Sequence, residues 1–102
     1  MLFMVIETFE RDDMVPIYRH IRDHGRQLPD GLEFVDSWIE PGFGRCFQLM
    51  RTQDARTLQA WVLGFRGLGA RFEIVPVVPS ADTRAVVAPF LEDDQALTND
   101  RA

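Results

Sequence analysis

The sequence predicts an α+β fold of order βαββαβ, a four-stranded antiparallel sheet with two helices on one face. Three observations predict it. A run rich in branched and aromatic side chains marks a strand at 2–9, two short strands flank a Pro-Gly turn within 34–50, and RFEIVPVV marks a last strand at 71–78. Apolar residues three and four apart mark one helix after the first strand and another after the pair. Glycine and proline stand at the joints between them. Right-handed crossovers then bring both helices to the same face and set the strand order 4-1-3-2.

In the first strand, Leu2, Met4 and Ile6 share one side, and Phe3, Val5 and Glu7 share the other. One side is wholly apolar; the other ends in a carboxylate. Glu10 to Asp13 break the run, and either aspartate can cap the helix that follows, with Pro16 in its first turn. There Val15, Tyr18 and Ile21 form the apolar stripe, joined less strongly by Met14 and Ile17. Gly25 stops the helix, and Leu28-Pro29-Asp30-Gly31 turns the chain into the next strand. Thr52 or Asp54 caps the second helix, whose apolar positions are Leu58, Trp61, Val62 and Phe65. Trp61 is expected on the sheet. Pro76 assigns the last strand to a sheet edge, because proline cannot donate a ladder hydrogen bond.

The hairpin FVDSWIEPGFGRCFQLM, residues 34–50, can pair in two ways. An odd loop puts Val35 and Ile39 with Phe47 and Leu49 under the helices, and Asp36 and Trp38 with Cys46 and Gln48 on the open face. An even loop pairs Glu40 with Arg45 but sets Asp36 beside Phe47 and Leu49. An exposed ion pair is worth about 0–1 kcal/mol and an unsatisfied buried polar group costs a few, so the odd register is expected, with Pro41-Gly42 in a type II turn. The open face would then carry Phe3, Val5, Glu7, Phe34, Asp36, Trp38, Cys46, Gln48 and Met50. Such a face is too apolar for water and too polar for a plain core. Two copies facing each other would enclose a pocket at Glu7, Asp36, Trp38, Cys46 and Gln48.

Length and composition bound the rest. With 102 residues the chain is one domain, divided into the βαββαβ unit at 1–80 and an extension at 81–102 with a short helical segment and a mobile end. A chain this short buries roughly 60–65% of its unfolded surface, which favours packing against a twin. The net charge is −5 and all eleven positive charges are arginine. Nucleic acid is therefore not an expected partner, and Arg19, Arg22 and Arg26 read as a solvated face. Without lysine there is neither Schiff-base chemistry nor a Walker-type phosphate loop. Cys46 stands alone, so no internal disulfide is expected, and a cytoplasmic location follows. The apolar N-terminal run is too short to span a bilayer and has no leader pattern, so no membrane is expected.

The runs MLFMVIETF, HGRQLPDGL, FVDSW and RCFQLM resemble a family of short bacterial proteins known as a domain of unknown function. Its layout is similar to the dimeric α/β-barrel, ferredoxin-like superfamily, and the resemblance covers roughly residues 1–80. It implies a homodimer paired through the sheet faces. That superfamily includes cofactor-free monooxygenases, haem-degrading enzymes, ligand-binding stress proteins and a nickel-binding branch, so the fold selects no chemistry.

The motifs favour a binding or interaction module with a small apolar or aromatic ligand over an enzyme. The enzyme alternative is a cofactor-free monooxygenase or isomerase with Asp36 or Glu7 as base. No cofactor is expected: the glycines at 42, 44, 64, 67 and 69 do not form a dinucleotide fingerprint. His20 and His24, four apart on a helix, are weak candidates for nickel or zinc, because spacing fixes no third ligand.

Overall fold

The computed structural model describes the backbone of residues 1–101 and the side chains of residues 1–92. In chain order the elements are β1 (Leu2–Phe9), α1 (Val15–His24), β2 (Glu33–Ile39), β3 (Arg45–Arg51), α2 (Arg56–Leu63), β4 (Ala70–Val77) and α3 (Ser80–Arg101). The four strands form one antiparallel sheet in the order β2-β3-β1-β4. This is the expected topology, with the proline-bearing β4 at an edge.

The N-caps are Met14 and Ala55, without side-chain cap bonds, and the expected aspartates act from one position earlier. The Val15 N–H donates to Asp13 Oδ1 at 3.1 Å, Pro16 lies in the first turn of α1, and Gly25 ends the helix at φ 71°. Pro29 to Leu32 form a turn closed by Leu32 N–H to Pro29 O at 3.1 Å, with Gly31 at φ 89° where a type II turn requires a positive value. At α2, Thr52 Oγ1 accepts from Asp54 N–H and Asp54 Oδ1 accepts from Arg56 N–H. The stripe of α1 is centred differently from expectation. Ile17 is fully buried, with Met14 and Ile21 packed beside it, whereas Val15 and Tyr18 are more than 40% exposed. The spacing 14, 17, 21 fits the helix as well as 15, 18, 21, and contact with the sheet decides between them.

Helices α1 and α2 cover one face of the sheet. Ile17 of α1, Leu58 and Trp61 of α2, and Phe65 just beyond pack on Phe3, Val5 and Phe9 of β1 and Cys46 and Met50 of β3. The Trp61 ring lies edge-on to Phe65 and to Phe72 of β4, at 5.1 and 5.7 Å between centroids, and its N–H donates to Arg26 O at 2.9 Å.

The hairpin takes the even register, which corrects the expected face assignment. Ile39 pairs with Cys46, Trp38 with Phe47, Ser37 with Gln48 and Asp36 with Leu49. A bulge at Val35 then brings Phe34 opposite Met50. Asp36 and Trp38 therefore share the open face with Leu2, Met4, Ile6, Phe47 and Leu49, while Glu7, Cys46 and Gln48 point under the helices. The expectation of an odd register rests on keeping Asp36 away from a core formed by Phe47 and Leu49. Those two residues lie on the open face, so the even register leaves Asp36 exposed and incurs no such cost. It also gains the Glu40–Arg45 pair, with Arg45 Nε and Nη2 at 2.8 and 2.9 Å from the two carboxylate oxygens. The four-residue loop 41–44 turns through Phe43 N–H to Glu40 O at 2.8 Å, and the positive φ falls on Phe43 at 64° instead of Gly42. Without a positive φ at Gly42 the turn is not type II.

The helical segment of the extension is longer than the sequence indicates. α3 runs for 22 residues through Pro89, and each residue from Ser80 to Glu92 is exposed, including Val86, Phe90 and Leu91. The mobile end expected at 94–102 falls on residues whose side chains lie outside those described.

Candidate functional site

Alternation along β1 sends Phe3, Val5, Glu7 and Phe9 toward the helices, so one carboxyl enters an otherwise apolar row. Across the sheet Glu7 is opposite Cys46 of β3 and Phe72 of β4. One row away lies Gln48, with Ser37 of β2 as its neighbour. Short side chains at Ser37 and Cys46 leave space that a leucine or phenylalanine would fill. From above, α1 contributes Tyr18 and Ile21, and Arg26 follows just after the helix. These seven residues line a cleft of about 260 Å³.

Glu7 is 3% exposed, and Gln48 Nε2 donates to its Oε1 at a long 3.4 Å. Its Oε2 has no partner among the described residues. No side-chain nitrogen or oxygen among them is both sealed from solvent and unpaired, so Oε2 is reached from the cleft. Burial pushes the Glu7 carboxyl from 4.5 up to about 7, because water is withdrawn from the ionised form. The Cys46 thiol rises to about 11, first by burial and then by the Glu7 charge, with Arg26 pulling the other way. It stays protonated near neutral pH and is no nucleophile. The Tyr18 phenol is raised by burial and by the charges of Cys46 and Glu7. Glu7 is thus the lining group that exchanges a proton near neutrality.

At the mouth, the Arg26 guanidinium lies 3.7 Å from the centroid of the Phe34 ring and is exposed. It makes no ion pair among the described residues, unlike Arg22, Arg45, Arg51 and Arg56, each of which holds a carboxylate.

Of the five residues expected to share a pocket, Glu7, Cys46 and Gln48 come together. Asp36 and Trp38 do not: Asp36 is exposed on the opposite face, its Oδ1 accepting from Ser37 N–H at 2.8 Å, and Trp38 is 51% exposed. Tyr18, Ile21, Ser37 and Arg26 complete the cleft and were not assigned to it. Tyr18 and Ile21 were visible as the helix stripe, and Ser37 follows from the even register. Arg26 lies beyond the helix stop at Gly25, a position that already removes it from the helical stripe of Arg19 and Arg22.

His20 and His24 stack at 4.6 Å between ring centroids, and one nitrogen of each is engaged: His20 Nε2 with Gln27 Oε1 at 2.9 Å and His24 Nδ1 with His20 O at 3.1 Å. Among the described residues no group of three His, Cys, Asp or Glu side chains is placed to hold a metal. Likewise, no helix among them is long and apolar enough to cross a membrane.

Searches of curated proteins and of solved structures find no match for the chain. The model of a family described as Domain of unknown function (DUF3303) matches residues 1–91, reaching past β4 into α3. With nearly nine-tenths of its length matched, the chain belongs to that family.

Proposed function

We propose that this protein is a homodimeric small-molecule-binding module whose ligand enters the cleft between α1 and the sheet. The observation that carries the reading is Glu7: a buried carboxyl with one oxygen open to a cleft that also offers an amide, a hydroxyl and a phenol. Ligand sites combine an apolar wall with a few convergent polar groups, and at about 260 Å³ this one suits a small ligand. The ring of Tyr18 and the side chain of Ile21 favour an apolar or aromatic body.

The open face supports pairing with a second copy. Leu2, Met4, Ile6, Phe47, Leu49, Trp38 and Val75 form a contiguous apolar surface, bordered by Asp36, Arg45, Arg71 and Glu73. A two-fold interface sets the same patch against itself, and a border carrying both charge signs is compatible with that. Here the dimer would form away from the cleft, so pairing would not enclose the ligand.

Phenol is a suitable probe. In amide NMR it should produce saturable shifts at Glu7, Tyr18, Ser37, Cys46 and Gln48; shifts confined to the open face, or none at all, would defeat the cleft reading. Sedimentation should give a dimer that Trp38→Arg converts to a folded monomer. A monomeric parent chain would remove the dimer.

The second reading is an enzyme of the isomerase or cofactor-free monooxygenase kind. A carboxyl held at about 7 favours it, since such a group both accepts and returns a proton at neutral pH. Glu7, not Asp36, would then be the base.

A further inference from the structure

The charges around the cleft narrow the class of ligand. The groups facing Glu7 are Cys46 and Gln48 from β3, Tyr18 from α1 and Phe72 from β4, with Arg26 in the segment after α1. Cys46, Gln48, Tyr18 and Phe72 carry no charge near neutral pH. Arg26 is the one cation among the lining residues, and its field reaches inward as far as the Cys46 thiol. Its planar fork faces no carboxylate of this chain among the described residues. An amine in the cleft would meet that cation at the mouth, whereas an anion would find a partner there.

Resting on the cleft reading above, the geometry points to a small organic carboxylate as the ligand, with its carboxylate on Arg26, its apolar body along Ile21 and Tyr18, and a polar group reaching Glu7. A hydroxyl or carbonyl at the far end is within the repertoire of Glu7, which donates when protonated and accepts when ionised. Bringing a second negative charge into the cleft also favours the protonated form of Glu7. Binding near neutral pH therefore takes up a proton from solvent onto Glu7 Oε2 or Oε1 and weakens as pH rises.

The test is calorimetric titration of the full chain with benzoate, phenol and benzylamine at pH 6 and pH 8. Benzoate should bind, and Arg26→Gln should weaken it about tenfold or more, well beyond any change in phenol binding. Arg26→Lys, which keeps the charge and loses the fork, should fall between them. Benzoate should bind more tightly at pH 6 than at pH 8, and Glu7→Gln should abolish that difference. Benzoate binding that is insensitive to Arg26→Gln, or benzylamine binding more tightly than benzoate, overturns the carboxylate assignment. Phenol binding without benzoate binding also overturns it while leaving the cleft standing; binding of neither probe removes both. Circular dichroism of each variant separates loss of the site from loss of the fold.

Discussion

Val5 and Ile6 are neighbours on β1, yet Val5 is fully buried under the helices and Ile6 looks out from the far side of the same sheet. The contrast extends across all four strands. The covered face combines Phe3, Val5, Phe9 and Met50 with the polar residues Glu7, Ser37 and Gln48; the open face is apolar at its centre and charged at its border. An all-apolar row is no guide to which side the helices choose. Here they take the side bearing a carboxyl, because Phe3, Val5 and Phe9 with Phe72 and Ile74 offer the deeper bed for Trp61, Phe65 and Leu58. Glu7 is carried into that bed by strand parity, and the cleft at Ser37 and Cys46 keeps it in reach of solvent.

The largest effect should separate the two faces directly. Met50 is fully buried and Leu49, beside it, is only partly so. Met50→Ala should cost about 2–5 kcal/mol in urea unfolding at low protein concentration, against about 1 kcal/mol for Leu49→Ala. Equal losses would mean that the helices do not distinguish the faces.

Next comes the pH dependence of stability. The folded pKa of Glu7, about 7, lies above its ordinary 4.5, so between those values the folded chain holds a proton that the unfolded chain releases. Stability should therefore fall as pH rises from 4.5 to 7, by about 3 kcal/mol in total, and level off above. The carboxylates of Asp23, Glu40 and Asp54 shift downward beside their arginines, so their contribution appears only at more acid pH. Glu7→Gln should flatten the slope and unfold at higher urea than the parent at pH 8. A slope that persists in the variant would assign the proton elsewhere.

The smallest effect belongs to the open face. Asp36→Asn should change stability by less than about 0.5 kcal/mol and leave phenol binding in the cleft unaltered. Weakened binding would return Asp36 to the site.

Much of this organisation is legible in the residues, and two separate expectations fail. Strand order, the edge position of Pro76, the Gly25 stop and the burial of Trp61 all follow from local chemistry that tertiary packing did not override. Glu7, Cys46 and Gln48 lie together because strand pairing brings them to one face whichever side the helices take. The side the helices take is one failure, because neither row of β1 and β3 announces it. The register of β2 is the other: the four-residue loop decides the facing of Asp36 to Ile39 and carries no strong local signature. The even register alone separates Asp36 and Trp38 from Glu7, Cys46 and Gln48. Arg26, the residue that gives the cleft its charge, needed the path of the chain after Gly25, which no periodicity describes.

The protonation of Glu7 can be followed through its side-chain carboxyl carbon by NMR from pH 4 to pH 9. A midpoint near 7, displaced when phenol or benzoate is added, is the result expected of a buried carboxyl opening into a binding cleft. A midpoint near 4.5 that ignores both additives would place Glu7 in open water and contradict the site.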